Sequence, residues 1–439
     1  MQKMVIYFMA YLILLIAAAI FALLTYYRPL FSLYVIAALL PTYLIRFSFF
    51  GIPMTWLETM IIILAVIMLI RKQVDFKKIR QDAFFWPIIA ILFAATLAAI
   101  VSPDKLHALG AWKAYFIEPI VFYWLMTSII TIRRQLEGVF WALGLSAAYL
   151  GISAIIQKIF IIGVPESFMT ATGAVDRVVS FYGYPNALGL YLGPIIVVFL
   201  GFLFYKNSDS LLLYLNDAQR FWLKSAVVFF GLLTIVMAQS EGAILAVAAV
   251  GWLMLFFMKK TRNYALILLA LFVIMLIANA GLRDFIAAKV FLQDWSGIVR
   301  LRIWGETWQM LKANWFFGAG LAGYPIAIIP YHVNAWMEIF PYPHNILLNF
   351  WSELGLVGVS AFIWLGVEYF WLNIKNLFSI GWNRSQELPF DQLASFVFIL
   401  AGLEIIIHGL VDVPYFKNDL SVLFWLLMAA ASLNVKLKK

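Results

Sequence analysis

The run Ala265-Leu266-Ile267-Leu268-Leu269-Ala270-Leu271-Phe272-Val273-Ile274-Met275-Leu276-Ile277-Ala278 contains no charged or hydrogen-bonding side chain. It lies inside a longer apolar stretch, 263–281, between the basic cluster Lys259-Lys260-Thr261-Arg262 and the long polar segment 282–344. About 20 apolar residues wound as a helix cross the hydrocarbon core of a bilayer. In lipid, each backbone N–H and C=O must bond within its own segment, so a helix is the expected form. Comparable runs lie near 5–26, 30–45, 54–70, 84–101, 114–131, 136–160, 186–205, 223–239, 242–258, 345–371, 393–411 and 419–434. The sequence thus predicts an all-α polytopic membrane protein of about twelve or thirteen transmembrane helices. Residues 1–439 form a single integral membrane domain without internal repeat or low-complexity linker.

Composition agrees. The 439 residues are 65% hydrophobic and 12% charged, with a mean hydropathy of +0.95. A soluble domain carries roughly 25% charged residues, so this chain lacks the charge to cover a water-facing surface. The net charge of +9 sits in short patches between apolar runs rather than on one face, so it predicts no nucleic-acid partner. The absence of cysteine excludes disulfides, thiolate metal sites and cysteine nucleophiles. The first run ends in Thr25-Tyr26-Tyr27-Arg28 without a small-residue cleavage site, as an anchor does and a removed signal peptide does not.

Orientation follows from the basic clusters. Arg71-Lys72, Lys77-Lys78-Ile79-Arg80, Arg133-Arg134, Lys259-Lys260-Thr261-Arg262 and the tail 436–439 alternate consistently and belong in the cytoplasm. The segments 102–113, 161–185, the turn 239–242, 282–344 and 412–418 are then outside. The largest outer loop, 282–344, is where site chemistry is expected, and no nucleotide is available there. A group transfer outside the cytoplasm needs a donor that arrives activated, and a lipid-linked phosphate ester supplies one. A transporter using polar residues at bilayer depth is the competing class.

Within this loop, 298–312 has helical character. Arg300, Trp304, Thr307, Trp308 and Leu311 share a face by spacing. Arg302 points the other way, four residues before Glu306, at ion-pair spacing. The fixed fork of a guanidinium suits a diphosphate, which makes Arg300 the better anion ligand; the same residues read equally well as an interfacial Arg and Trp belt. His344 stands at the outer edge of the next run and can take a proton near neutral pH, with Asn345 as N-cap. His332 reads as structural, and Gly355 and Gly358 as allowing close helix packing. Arg177 precedes a turn into a helix expected to be capped by Asn186. Glu404, His408 and Asp412 follow at i+4 steps on one helix, as a cleft lining, a proton relay or a structural stripe. There is no His-Glu-x-x-His, Walker or Gly-x-Ser-x-Gly motif, so no metal or other cofactor is expected.

Together these residues resemble the O-antigen ligase and polymerase family of membrane glycosyltransferases. The resemblance covers roughly residues 170–360. It rests on Arg300-x-x-x-Trp304, Gly318-Ala319-Gly320, His344-Asn345, Glu353-x-Gly355-x-x-Gly358, Tyr184-Pro185-Asn186-Ala187-Leu188 and Gln239-Ser240-Glu241-Gly242-Ala243. It implies a GT-C-like enzyme of the bacterial inner membrane, with its site on the outer face. Such an enzyme moves a glycan from undecaprenyl-diphosphate to a hydroxyl of lipid A-core or another envelope acceptor, inverting and metal-independent; a polymerase uses the same donor. On this resemblance Arg300 holds the diphosphate and His344 acts as base. Arg302, Arg177, Asn345, Trp304, Glu241, His408 and Asp412 are expected around the substrates. Many members carry arginine where this chain has Glu241, so Arg177 or Arg302 is expected to substitute for it.

Overall fold

The computed structural model describes residues 2–49, 51–203, 205, 215–333, 336–379 and 389–437. Helices α1 (Gln2–Tyr27) and α2 (Pro29–Ala38) lead into a β-hairpin, β1 (Arg46–Phe49) and β2 (Ile52–Thr55). Then follow α3 (Trp56–Ile70), α4 (Phe76–Arg80), α5 (Phe85–Val101), α6 (Lys105–Trp112), α7 (Glu118–Ile129) and α8 (Arg133–Phe160). The middle of the chain forms α9 (Pro185–Gly201), α10 (Asp217–Met237), α11 (Glu241–Phe257), α12 (Arg262–Ala278), α13 (Ala280–Val290), α14 (Trp295–Ala313) and α15 (Tyr324–Ala327). The chain closes with α16 (Ile346–Leu377), α17 (Phe390–Gly409) and α18 (Asn418–Lys436).

Among the described residues, α8, α10, α16, α17 and α18 are long and apolar enough to cross a membrane. The pair α12 and 280–313, bent by 107°, makes a sixth. Other apolar helices, α9 and α11 among them, are 10–17 residues long, so length and composition support fewer spans than the twelve or thirteen expected. Two local reasons account for part of this. The run 30–45 ends as a helix at Ala38, where Pro41 enters a 3-10 turn before the hairpin. Residues 102–113, expected as loop, are mostly α6, joined to α7 through a π-turn at Lys113–Ile117. Lys113 there meets the buried carboxylate of Glu58. The segment 282–344, expected as an outer loop, is in addition largely helical, in α13, α14 and α15.

The two ends of the bundle differ in chemistry. At one end Lys436 Nζ lies 2.5 Å from Asp82 Oδ2, Arg133 pairs with Asp391, and Lys78 donates to Thr127 O. These are the basic patches the charge pattern assigns to the cytoplasm. The loops it assigns to the outside meet one another at the opposite end. The core between the ends is apolar, with α17 and α18 packed among α7, α9, α11 and α16. Helix α12 leaves Leu266 to Ile277 largely exposed, the sequence expected to face lipid.

The segment after α14 is fastened to the bundle by backbone. Ala319 N donates to Ser352 O at 2.6 Å, Leu321 N to Ala98 O at 3.1 Å and Leu356 N to Phe316 O at 2.9 Å. Gly355 is therefore more than a packing residue. It interrupts α16 at φ +69°, and a Cβ there would lie 2.1 Å from Phe316 O. The freed carbonyl and N–H on either side of this kink are the groups that hold the 316–322 segment. Glu353, buried, accepts from Ala322 N.

Candidate functional site

Helix α17 ends at Gly409, leaving carbonyls without an in-helix partner. Two side chains bond the carbonyls of the turn that follows the helix. Asn345 Nδ2 donates to Leu410 O at 3.0 Å, and Arg300 Nε donates to Val411 O at 3.0 Å. Cations and polar donors are favoured at such helix ends by the dipole. Arg300 is half-buried and steadied by Ser296 Oγ at 2.9 Å, and among the described residues its remaining guanidinium N–H groups have no hydrogen-bond partner. Next along the chain, Asp412 turns inward, and His344 Nδ1 lies 3.4 Å from its Oδ1. Arg300 and His344, 44 residues apart in sequence, thus meet on consecutive residues of one turn.

His344 is held in an uncommon shape. Its φ of +49° is in the left-handed region, which costs a non-glycine residue of order 1 kcal/mol. Neighbours on both sides fix it there. Trp304 Nε1 donates to Pro343 O at 2.9 Å, and Asn345 Oδ1 caps α16 through Leu347 N and Leu348 N at 3.1 and 3.0 Å. The rings of Tyr342 and Phe340 lie 4.6 and 5.4 Å from the imidazole. Asp412 is fully buried. Burial alone would push its carboxyl up, but the hydrogen bond and charge of His344, with His408 and Val413 N, hold it below the usual carboxylate value.

The second arginine joins through an amide. Arg177 donates to Ala238 O at 2.9 Å and Gln239 O at 3.3 Å, closing the C-terminal end of α10. It also reaches Asn186 Oδ1 at 2.9 Å, and Asn186 Nδ2 lies 3.4 Å from Asp412 Oδ2. Asn186 is not the cap of α9. Pro185 occupies the first helical position and Tyr184 precedes it as N-cap, so the amide is free to bridge. Asp412 is not on the helical stripe either. Because α17 stops at Gly409, it belongs to the turn, while Glu404 and His408 remain inside the helix with Nδ1 and Oε1 3.5 Å apart.

Other expected residues are elsewhere engaged. Glu241 at the start of α11 is exposed and bound by Lys289 Nζ at 2.7 and 2.8 Å; Lys289 also meets Asp294, the N-cap of α14. Arg302 is exposed, and no ion pair joins it to Glu306 among the described residues. Glu306 is buried and receives His332 at 3.0 Å, whose other nitrogen lies 2.9 Å from Met337 O, a structural role as expected. The structure thus gathers Arg300, His344, Asn345, Trp304, Asp412 and Arg177, and sets Arg302, Glu241 and His408 at the margins. It adds Asn186, Tyr342, Tyr184 and Lys417. A cavity of about 840 Å³ lined by Tyr27, Arg28, Tyr34, Gln73 and Ser128 lies at the opposite end and includes none of these groups.

Apolar spanning helices with polar side chains gathered at one end define an all-α polytopic membrane protein. Residues 226–363 match the family model described as O-Antigen ligase (Wzy_C), so this segment is similar to that family. The match contains Glu241, Arg300 and His344; Arg177, Asn186, Asp412 and Lys417 lie outside it. No curated protein matches the chain.

Proposed function

We propose that the chain is an O-antigen ligase-like glycosyltransferase. It moves a glycan from undecaprenyl-diphosphate to an acceptor hydroxyl, on the outer face of the bacterial inner membrane. The observation that carries this reading is the meeting of Arg300 and His344 on the Val411-Asp412 turn, at the end of the bundle opposite the basic patches. An Nδ1–H directed at Asp412 leaves Nε2 of His344 with its lone pair, the tautomer a general base requires. The acceptor hydroxyl gives its proton to Nε2 as its oxygen attacks the anomeric carbon. The bond from that carbon to the diphosphate oxygen breaks on the opposite face, inverting the centre. The electron pair and charge leave with undecaprenyl-diphosphate. Undirected guanidinium N–H groups of Arg300 meet that charge, the electrostatic term that usually contributes most to such catalysis.

The acceptor is a sugar hydroxyl of lipid A-core or a similar envelope glycan. The test is reconstitution in proteoliposomes with an undecaprenyl-diphosphate oligosaccharide and a lipid A-core acceptor, reading products by mass spectrometry. Glycan on the acceptor supports the ligase. Lengthened lipid-linked chains without it replace ligase by polymerase, and no transfer of either kind refutes the reading.

A further inference from the structure

The turn that receives Arg300 continues to Lys417, which precedes α18. This lysine is the one cation of the short segment 412–418. Its ammonium faces rings: Nζ is 4.5 Å from the centroid of Tyr182, 4.9 Å from Tyr184 and 5.4 Å from Tyr43. Among the described residues no oxygen lies within hydrogen-bond or ion-pair distance of Nζ. Asp419, the nearest acid in sequence, is instead engaged by Tyr182 Oη at 2.7 Å through one oxygen, and its other oxygen has no hydrogen-bond partner among the described residues. Burial pushes the Lys417 ammonium below the usual lysine value, against the raising influence of Asp419 and Asp412.

Ring faces offset part of the cost of holding an ammonium away from water, but they accept none of its hydrogen bonds in the way an oxygen does. Three donors without an acceptor in a half-buried place leave the group poised for an anionic ligand. The location joins it to the candidate site. Tyr184, one of the rings, adjoins Pro185-Asn186, and Asn186 reaches Asp412. Arg300 grips one end of the 410–417 loop and Lys417 closes the other.

We propose that Lys417 is a ligand of the donor's diphosphate, gripping a phosphoryl oxygen with the ammonium that the tyrosine rings hold in place. This rests on the transfer reading above and assigns it a second cation, drawn from outside the segment that matches the family.

The test uses the full-length protein in nanodiscs of zwitterionic phosphatidylcholine, with farnesyl diphosphate as probe and farnesol as its uncharged counterpart. Lys417→Met is expected to weaken farnesyl diphosphate binding by about tenfold or more, the range for losing one charge-assisted hydrogen bond. Farnesol binding is unchanged, and Lys417→Arg stays close to wild type. In the unmutated protein, farnesyl diphosphate but not farnesol should protect Lys417 from an amine-acylating reagent, read by peptide mass spectrometry; this arm decides even where Lys417→Met fails to fold. Undiminished affinity in folded Lys417→Met, or acylation of Lys417 unaffected by the probe, overturns the assignment. If Arg300→Ala weakens the probe while Lys417→Met does not, only the Lys417 assignment falls. If the wild-type protein binds no diphosphate probe, the transfer reading falls with it.

Discussion

Arg300→Lys separates a guanidinium that works from one that merely caps a helix. In the structure this side chain holds Val411 O through Nε at 3.0 Å and Ser296 Oγ through a terminal nitrogen at 2.9 Å. Each such bond contributes about 0.5–1.5 kcal/mol net, so capping alone predicts a small loss of stability in Arg300→Lys. Lysine keeps the charge but has one nitrogen and no fixed fork, so it cannot hold Val411 O and present a pair of donors to a phosphate at once. If Arg300 meets the leaving diphosphate, Arg300→Lys loses one preorganised donor. Losses of that kind reduce turnover by about 10²–10³-fold. The assay is transfer from undecaprenyl-diphosphate oligosaccharide in proteoliposomes, with thermal unfolding in detergent measured on the same preparations. The expected result is a melting temperature close to wild type with turnover down by about two orders of magnitude. Arg300→Lys with wild-type turnover, or with stability and turnover falling in proportion, would refute the reasoning and leave an ordinary capping arginine.

His344→Ala is expected to abolish measurable transfer while farnesyl diphosphate binding persists; equal turnover removes the imidazole from the mechanism. Asp412→Asn should lower turnover by up to about 10⁴-fold, the scale for losing the carboxylate that sets the tautomer of a histidine base, with the donor KM little changed. Transfer should continue in excess chelator, because cationic side chains take up the leaving charge; activity lost with chelator and restored by a divalent ion would overturn that. The Glu306 hydrogen bond, ahead of opposing burial, raises the pKa of His332. This contact therefore stabilises fully below the ordinary histidine pKa near 6.5 and fades as pH rises through the raised folded value. The melting-temperature gap between wild type and His332→Gln should narrow from pH 6 to pH 9, and a constant gap would contradict the ion-pair account.

Much of this was legible in the sequence because lipid imposes simple rules. Apolar runs gave the helical class, and the alternation of basic clusters sorted the loops that the structure then brings together at one end. The Arg300–Trp304 spacing anticipated a helix with both residues on one face, and Asn345 is the N-cap of α16. What escaped depends on where helices stop. The step of four from Glu404 to His408 to Asp412 continues in sequence beyond the end of α17, and only the capping of Leu410 and Val411 carbonyls by side chains 65 and 111 residues away marks the true end. Asn186 was misread because asparagine near a helix start usually caps it, whereas Pro185 fixes the start one residue earlier. Gly355 followed a small-residue spacing typical of helix packing, while its positive φ serves a backbone-to-backbone junction. Lys417 had one available signal, a single lysine in the short segment 412–418.

The placement of Glu404 and His408 weighs between the two classes the sequence left open. A proton relay along α17 needs polar groups continuing to the outer end, with room for water between them. Here both side chains are buried and pressed against glycines of neighbouring helices. A Cβ on Gly193 of α9 would lie 2.1 Å from Glu404 Oε1, and one on Gly242 of α11 would lie 2.9 Å from the His408 ring. The stripe therefore sets the spacing of α17 against α9 and α11. It stops where Asp412 leaves the helix and turns to His344. The glycines let these helices approach closely enough to bring the Asn186 and Gln239 turns beside the end of α17, where Arg177 joins them. On this argument Gly193→Ala would displace α9 and Asn186 with it. It should reduce transfer without removing any group that touches the substrate, which a polar relay through Glu404 would not require.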